Sequence, residues 1–270
     1  MKILFNEDKI VAAAQKVMLE ILLEIHRICE ENKITYWLEA GTLLGAIRHK
    51  GFIPWDDDCD VAMSRKDYEK FLKIAQEKLP DNMFLQTEKT DPEYPIPWAK
   101  IRKNGTILIE TGESGEEKYH HGIFVDIFPY DYYESEEIIR KLQWARRTKD
   151  EKNKYPRGSL KRILFGLYAN ILLYVPIHNI ERKRKYLVEH REEYNSKNYH
   201  YFSYAADVGD VCVTTIDDVL PTRLGKNIFE GVSFYVPNNF DNVLKANYGN
   251  NYMKLPPINQ RKTHAKYIKI

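Results

Sequence analysis

Residues 37–63 read WLEAGTLLGAIRHKGFIPWDDDCDVAM, and this stretch decides the predicted fold. Residues 34–40 are apolar and aromatic up to Gly41, which predicts a strand that ends in a turn. A short helix over residues 43–48 is expected after the turn, and residues 58–63 are expected to form a second strand after a loop. The stretch therefore predicts a helix N-terminus followed by a strand that carries acids.

Two aspartates on the second strand are expected to share one face. Alternate side chains of a strand point the same way, so the Cα atoms of Asp58 and Asp60 should lie about 7 Å apart while Cys59 faces the core. Neighbouring buried carboxylates need a counter-charge, and oxygen ligands favour Mg²⁺ or Mn²⁺ over Zn²⁺. The pattern predicts a divalent-metal site, with an acidic turn as the alternative. A calcium loop is excluded because Val61 stands where that loop needs glycine.

A third acid and the helix N-terminus complete the predicted site. Asp126 is the lone acid within GIFVDIFPY at residues 122–130, where it needs a partner. A metal is one such partner, and a structural salt bridge is the other. Gly41 and Thr42 precede the short helix, with Thr42 placed to cap it, and are expected to contact a diphosphate.

Three stretches resemble the LicD family of phosphocholine and related phosphotransferases, which is itself similar to fukutin and fukutin-related proteins. They are EAGTLLGAIRHKGFIPWDDDCDVAM at 39–63, GIFVDIFPYD at 122–131 and FEGVSFYVPNNFDNVLKANYGNNYMKLPP at 229–257. The resemblance implies an α+β fold: a nucleotidyltransferase-type mixed sheet flanked by helices, with a helical insertion.

The resemblance also implies an activity, namely transfer of phosphocholine from CDP-choline to a sugar hydroxyl of a teichoic acid precursor or surface glycan, with release of CMP. Asp58, Asp60 and Asp126 are expected to hold Mg²⁺ or Mn²⁺ and to act in catalysis, with Asp126 also a candidate base. Three alternatives stay open. They are nucleotidyl transfer to a small molecule, use of another CDP-alcohol such as CDP-ribitol, and a non-catalytic protein that binds choline-bearing glycans.

Basic and aromatic residues are the remaining candidates for the site. Arg48 is expected either to reach a phosphate or to hold the acidic loop. Lys100 and Arg102, on one face of a predicted strand, are expected to bind the diphosphate or to protect a sheet edge. Arg261 and Lys262 are expected to complete an anion site. Because a quaternary ammonium is recognised by aromatic faces, the expected choline-binding residues are Trp55, Tyr130, Tyr132 and Tyr133.

Composition points to a folded protein of a reducing compartment. The 270 residues include 41 basic and 39 acidic side chains, a net charge of +2, which gives no global basic surface for nucleic acid. Three widely spaced cysteines do not form a disulfide framework or a zinc finger, and the N-terminus has no signal-peptide pattern. The expected location is the cytoplasm.

The chain is expected to have three segments: a catalytic core over 1–133, a helical insertion over 134–200, and a segment over 201–270 that completes the pocket. Residues 163–180 contain no Asp, Glu, Lys or Arg and have basic flanks. This pattern fits a core helix, a helix on a membrane surface or a spanning helix. The surface helix would hold the enzyme at the inner face of the cell membrane, beside a lipid-linked acceptor.

Overall fold

The computed structural model describes most of the chain outside the predicted insertion. The described residues are 4–96, 98–133, 156, 159–161, 163–164, 201–204, 214–219 and 224–270. The chain divides into two compact units, a larger one of Met1–Pro129 with Leu220–Ile270 and a smaller one of Tyr130–Val219. The predicted helical insertion over 134–200 lies outside the described residues apart from the short pieces, and the three predicted segments stay a prediction.

Helices and strands alternate at the start of the described chain, and mainly strands follow after the third helix. In order they are α1 (Leu4–Asn32), β1 (Trp37–Leu38), α2 (Ala40–Arg48), β2 (Asp60–Ser64), α3 (Arg65–Lys78), β3 (Met83–Gln86), β4 (Ala99–Lys103), β5 (Ile107–Glu110), β6 (Phe124–Tyr133), β7 (Tyr201–Tyr204), β8 (Thr214–Thr215), α4 (Ile216–Val219), β9 (Gly225–Phe229), β10 (Val232–Val236), α5 (Phe240–Tyr248) and β11 (Ala265–Lys269). A short 3₁₀ turn at Ile258–Gln260 precedes β11.

A mixed sheet forms the centre of the larger unit, and this confirms the predicted α+β class. Its strand order is β1-β2-β6-β4-β3. The acid-bearing strand β2 therefore lies beside β6, and the backbone N–H of Asp126 donates to the carbonyl of Cys59 at 2.8 Å. Strand β4 pairs antiparallel with β6 and places Lys100 opposite Asp126. Strands β5 and β11 pair separately from this sheet.

The first helix has apolar side chains at helical spacing and fixes the loop before the acids. Its buried side chains recur every three or four residues at Val11, Ala14, Met18, Ile21, Leu22, Ile25 and Ile28. From the same helix, Gln15 Nε2 donates to the carbonyls of Ile53 at 3.0 Å and Asp56 at 2.7 Å. The helix thus holds the chain that leads into the site.

The β9–β10 hairpin holds the other part of that loop. It turns at Glu230 and Gly231, whose φ values are 48° and 79°. The Glu230 N–H donates to the Lys50 carbonyl at 2.9 Å, and the Glu230 carboxylate accepts from the Phe52 N–H at 3.0 Å. The loop therefore lies close against the hairpin.

In the smaller unit, the last residues of β6 pair antiparallel with β7, with Tyr130 opposite Tyr204. Strand β7 pairs with β8, and α4 follows directly. Among the described residues, no helix is long and apolar enough to cross a membrane.

Replacing Gly45 by alanine should destabilise the protein. A Cβ built at Gly45 lies 2.5 Å from the carbonyl oxygen of Gly51, a backbone atom that cannot turn aside. We expect the free energy of unfolding to fall by about 1–3 kcal/mol in urea denaturation. This expected fall is the net change, after the roughly 1 kcal/mol that alanine gains over glycine inside a helix. A Gly45→Ala protein as stable as the parent would show that the loop yields.

Candidate active site

A cavity of about 430 Å³ in the larger unit is lined by both halves of the sequence. From the first half come Gly41 and the carboxylates of Asp56, Asp58 and Asp60. The end of the chain contributes mainly basic and aromatic side chains, Tyr248, Tyr252, Lys254, Lys262 and His264. An acidic group and a group of basic and aromatic residues therefore line one small space.

The acids of this region raise one another's pKa. Burial, followed by the charges of Asp58 and Asp57, raises the pKa of Asp56 to about 8. Burial, followed by Asp57 and Asp126, raises the pKa of Asp58 to about 6, and burial with Asp58 and Asp126 raises that of Asp60 well above its usual range. The geometry agrees, because the N–H of Asp126 donates to the carbonyl of Cys59, the residue between Asp58 and Asp60.

The sequence predicted that Asp58 lies within the strand. In the structure, Asp58 lies just before the strand. Strand β2 begins at Asp60, so alternation along the strand does not place the two side chains on one face. The Asp58 side chain keeps 32% of its surface exposed, and both carboxylates line the cavity. They meet there because the chain enters β2 from the fixed loop.

Asp126 is paired with a buried cation. Its Oδ1 accepts a hydrogen bond from Trp98 Nε1 at 2.6 Å, and its Oδ2 lies 3.3 Å from Lys100 Nζ. The same ammonium lies 3.2 Å from Glu110 Oε2 and 3.3 Å from the centre of the Phe124 ring. The salt bridge named as the alternative for Asp126 is therefore present, and Lys100 is not among the residues that line the cavity.

The edge-protection alternative for Lys100 and Arg102 is wrong. Strand β4 lies between β6 and β3, and both side chains are buried. Arg102 donates to the Gln86 side-chain oxygen and, at 2.8 Å, to the Gly122 carbonyl. Burial lowers the pKa of Arg102, and its contacts hold strands together rather than line the cavity.

The helix N-terminus differs in detail from the predicted one. Helix α2 begins at Ala40, so the predicted cap by Thr42 is wrong; Glu39 stands at the cap position without a side-chain cap hydrogen bond. Thr42 is buried, and its Oγ1 accepts from the Asp60 N–H at 2.8 Å. Thr42 therefore fixes the start of the acid-bearing strand and does not line the cavity.

Gly41 is the part of the predicted anion site that lines the cavity. A Cβ at this position would lie 2.7 Å from Asp56 Oδ2, so glycine is needed for the carboxylate to approach the helix. The preceding Ala40 has a φ of 45°, a left-handed conformation that is costly for a non-glycine residue. The first turn of α2 is thus a strained segment against an acidic side chain.

Arg48 lines the cavity and holds its C-terminal wall. Its Nη1 donates to the carbonyl of Tyr252 at 2.8 Å and to that of Lys254 at 3.4 Å. Burial lowers the pKa of Arg48, while Asp56 opposes this shift. Of the two predicted roles, the structure shows a holding contact, though to the C-terminal segment rather than to the acidic loop.

The aromatic candidates separate into two groups. Trp55 lines the cavity, and the Arg261 guanidinium lies 4.8 Å from its ring centre. Tyr130, Tyr132 and Tyr133 lie on β6 in the smaller unit. The rings of Tyr248 and Tyr252 also line the cavity, and neither was predicted to bind choline. Both lie in residues 229–257, the third stretch that resembles the family.

The donor set suits a hard divalent cation in its chemistry. Carboxylate oxygens are the ligands that Mg²⁺ prefers, and a bound cation would relieve the repulsion that raises the pKa values of these acids. In the described part of the chain, however, no three His, Cys, Asp or Glu side chains are already arranged to hold an ion. Both oxygens of Asp126 are engaged, so its participation would require an exchange with Lys100.

Comparison with known proteins identifies the family. The model of the LicD/FKTN/FKRP nucleotidyltransferase domain matches residues 33–178. Lipopolysaccharide cholinephosphotransferase LicD of Haemophilus influenzae is 32% identical over 257 residues, which cover 93% of this chain and 94% of that protein. Ribitol 5-phosphate transferase FKRP of Homo sapiens is 48% identical over 149 residues, which cover 55% of this chain but 26% of that protein.

The fold and the acidic cavity thus define a nucleotidyltransferase-like transferase. The chain belongs to the LicD/FKTN/FKRP family. Asp58 and Asp60 line the cavity, and Asp126 lies on the neighbouring strand with its N–H on the Cys59 carbonyl. Thr42, Lys100 and Arg102 support the site from outside the cavity lining.

Asp57, next to the cavity acids, has a structural contact that the sequence did not reveal. It is buried, and its Oδ1 accepts from the His264 N–H at 2.9 Å while its Oδ2 accepts from the Ala265 N–H. The carboxylate therefore fastens the start of β11 to the acidic loop.

Replacing Asp57 by asparagine should cost stability. The amide retains one acceptor and turns an N–H₂ group toward a backbone N–H, so one buried donor loses its partner. We expect the free energy of unfolding in urea to fall by about 1–3 kcal/mol. An Asp57→Asn protein of unchanged stability would contradict the fastening role.

Proposed function

We propose that this chain transfers phosphocholine from CDP-choline to a sugar hydroxyl of a surface glycan and releases CMP. Identity of 32% across nearly the whole length of a relative named lipopolysaccharide cholinephosphotransferase supports this reaction. The structural observation that carries the proposal is the shared cavity, where the carboxylates of Asp58 and Asp60 lie with the rings of Trp55 and Tyr248. The groups that phosphate chemistry needs and those that would recognise an ammonium therefore line the same cavity.

In the proposed reaction, the sugar hydroxyl attacks the phosphorus that carries choline. A new phosphorus–oxygen bond forms, the bond to the CMP phosphate breaks, and the hydroxyl proton must be accepted. Asp126 is the proposed base, because burial raises its pKa and it lies near the other acids. The products are the phosphocholine-bearing glycan, CMP and one proton.

Asp58, Asp60 and Asp126 are the proposed ligands of Mg²⁺ or Mn²⁺. When bound, such an ion neutralises charge on the phosphate oxygens and the leaving group. The basic side chains of Arg48, Lys254 and Lys262 line the same cavity and supply positive charge for the CMP phosphate. Lys100 and Arg102, predicted as phosphate ligands, act in this proposal by fixing Asp126 and its strand.

The trimethylammonium group has no hydrogen-bond donor, and aromatic faces attract it. We place it against Trp55, Tyr248 and Tyr252, which line the cavity. Choline binding by Tyr130, Tyr132 and Tyr133 stays a prediction.

CDP-ribitol is the second candidate donor. Identity of 48% to the human ribitol 5-phosphate transferase over 149 residues favours it. Ribitol has hydroxyls in place of a cation, so its affinity would not depend on aromatic faces. On the acceptor side, lipopolysaccharide has the support of the relative's name, and a teichoic acid precursor is the alternative.

Association with the inner face of a membrane is part of the proposal. Ile163 and Leu164, at the start of the charge-free stretch, and Leu160, just before its basic flank, are exposed apolar residues. A lipid-linked acceptor would make such attachment useful. The rest of residues 163–180 lies outside the described part of the chain.

A donor panel tests the proposed reaction. With Mg²⁺ and lipopolysaccharide, we expect CMP release from CDP-choline at a higher rate than from CDP-ribitol or CDP-glycerol, together with a rise in the melting temperature by CDP-choline. EDTA should abolish turnover. Preference for CDP-ribitol would favour the second donor, and pyrophosphate release from CTP would favour nucleotidyl transfer. Binding of choline-bearing glycan without turnover would indicate the non-catalytic alternative.

Replacing Asp58 by asparagine should abolish turnover without unfolding the protein. The change removes a charge from the proposed ion site, so we expect a loss of about 10²-fold or more in kcat. Since burial and repulsion disfavour the ionised Asp58, the variant should be at least as stable as the parent above pH 6 without metal.

Asp81→Asn is the matched control, because Asp81 is exposed and lies outside the cavity lining. It should retain the turnover of the parent. Equal activity of Asp58→Asn and the parent would remove Asp58 from the mechanism.

A further inference from the structure

Another cavity, of about 760 Å³, lies in the larger unit between α3 and the segment that leads into β4. Its volume falls within the roughly 300–1,000 Å³ typical of small-molecule sites. Its lining residues differ from those of the acidic cavity among the described residues. The reaction needs two substrates, and the acidic cavity accounts for one of them.

Trp98 connects this second cavity with the reaction centre. Its half-buried side chain lines the cavity, and its Nε1 donates to Asp126 Oδ1 at 2.6 Å. Its ring also packs on Phe128, with 5.0 Å between ring centres. An occupant of the cavity would therefore touch a side chain that is hydrogen-bonded to the proposed base.

The charges of the lining suit a neutral occupant. Along α3, Arg65, Glu69, Lys73 and Glu77 follow one another at a spacing of four residues and alternate in sign. Residues four apart are neighbours on a helix surface, so their charges offset one another locally. The cavity has no concentration of positive charge that would attract a diphosphate. A neutral ligand with hydroxyl groups does not need one.

The remaining lining offers both kinds of contact that a sugar makes. Trp98, Leu72 and Ile96 present apolar surface for the C–H face of a pyranose ring. The Gln76 amide and the Glu69 and Glu77 carboxylates present donors and acceptors for hydroxyls.

We propose that the cavity between α3 and Trp98 binds neutral sugar residues of the glycan acceptor and directs one hydroxyl toward Asp126. This inference rests on the proposed transfer to a glycan, for which it names the acceptor site. Trp98 is then a positioning residue, since it contacts the acceptor on one side and holds the Asp126 carboxylate on the other.

Filling the cavity tests the proposal. Gln76→Trp places a large ring at an exposed position of the lining, and Lys66→Trp is the matched control on the same helix, exposed but outside the lining. The probe is a core oligosaccharide released from lipopolysaccharide, measured by saturation-transfer NMR and as acceptor in the CMP-release assay. We expect Gln76→Trp to raise the acceptor KM by about tenfold or more. The KM for CDP-choline and its thermal shift should stay unchanged, and Lys66→Trp should behave as the parent.

The outcomes separate the two proposals. If the parent releases CMP from CDP-choline and Gln76→Trp leaves the acceptor KM unchanged, the acceptor site is wrong and the proposed function stands. Equal losses in both variants, a lost thermal shift by CDP-choline in Gln76→Trp, or no saturation transfer to the oligosaccharide with the active parent would also overturn the acceptor site. A parent that shows no CDP-choline binding and no CMP release overturns the proposed function itself.

Discussion

The confinement of four carboxylates to one part of the larger unit is the constraint on which the rest of the structure depends. Asp56, Asp58 and Asp60 line the cavity, and Asp126 lies close enough to raise the pKa of two of them. Like charges that are partly removed from water repel one another and resist ionisation. Without a bound cation this arrangement is unfavourable, so contacts elsewhere must hold it in place.

Those contacts come from distant parts of the chain and reach different points of one loop. Gln15 holds the carbonyls of Ile53 and Asp56 from α1, and Glu230 holds the preceding turn from the hairpin. Asp57 fastens the far end to β11. Since most of these bonds are made to the backbone, they fix the path of the loop while leaving the cavity carboxylates available for chemistry. The main chain of the site is therefore held by hydrogen bonds, while its acidic side chains repel one another.

Structural features that depend on a short stretch of residues could be predicted from the sequence. The short helix before the acids, the acids themselves and the lone acid of β6 are visible in short stretches of sequence. The mixed sheet was implied by the family resemblance, and the turn expected at Gly41 is the first turn of α2. Contacts between distant residues were not predictable in this way: the partners Asp57 and His264 are 207 positions apart. The burial of Lys100 follows from strand order, which periodicity does not specify. For that reason the sequence left a sheet edge open as one of two alternatives, where the fold has an interior strand.

The ion pair of Asp126 is compatible with the proposed metal because Lys100 has a second acidic partner. Its ammonium lies 3.3 Å from Asp126 and 3.2 Å from Glu110. A buried charge that loses its only partner is strongly unfavourable. If an ion takes the Asp126 carboxylate, Lys100 keeps Glu110 and the face of Phe124. The exchange therefore leaves each buried charge with a partner, and Lys100 compensates Asp126 whenever the ion is away.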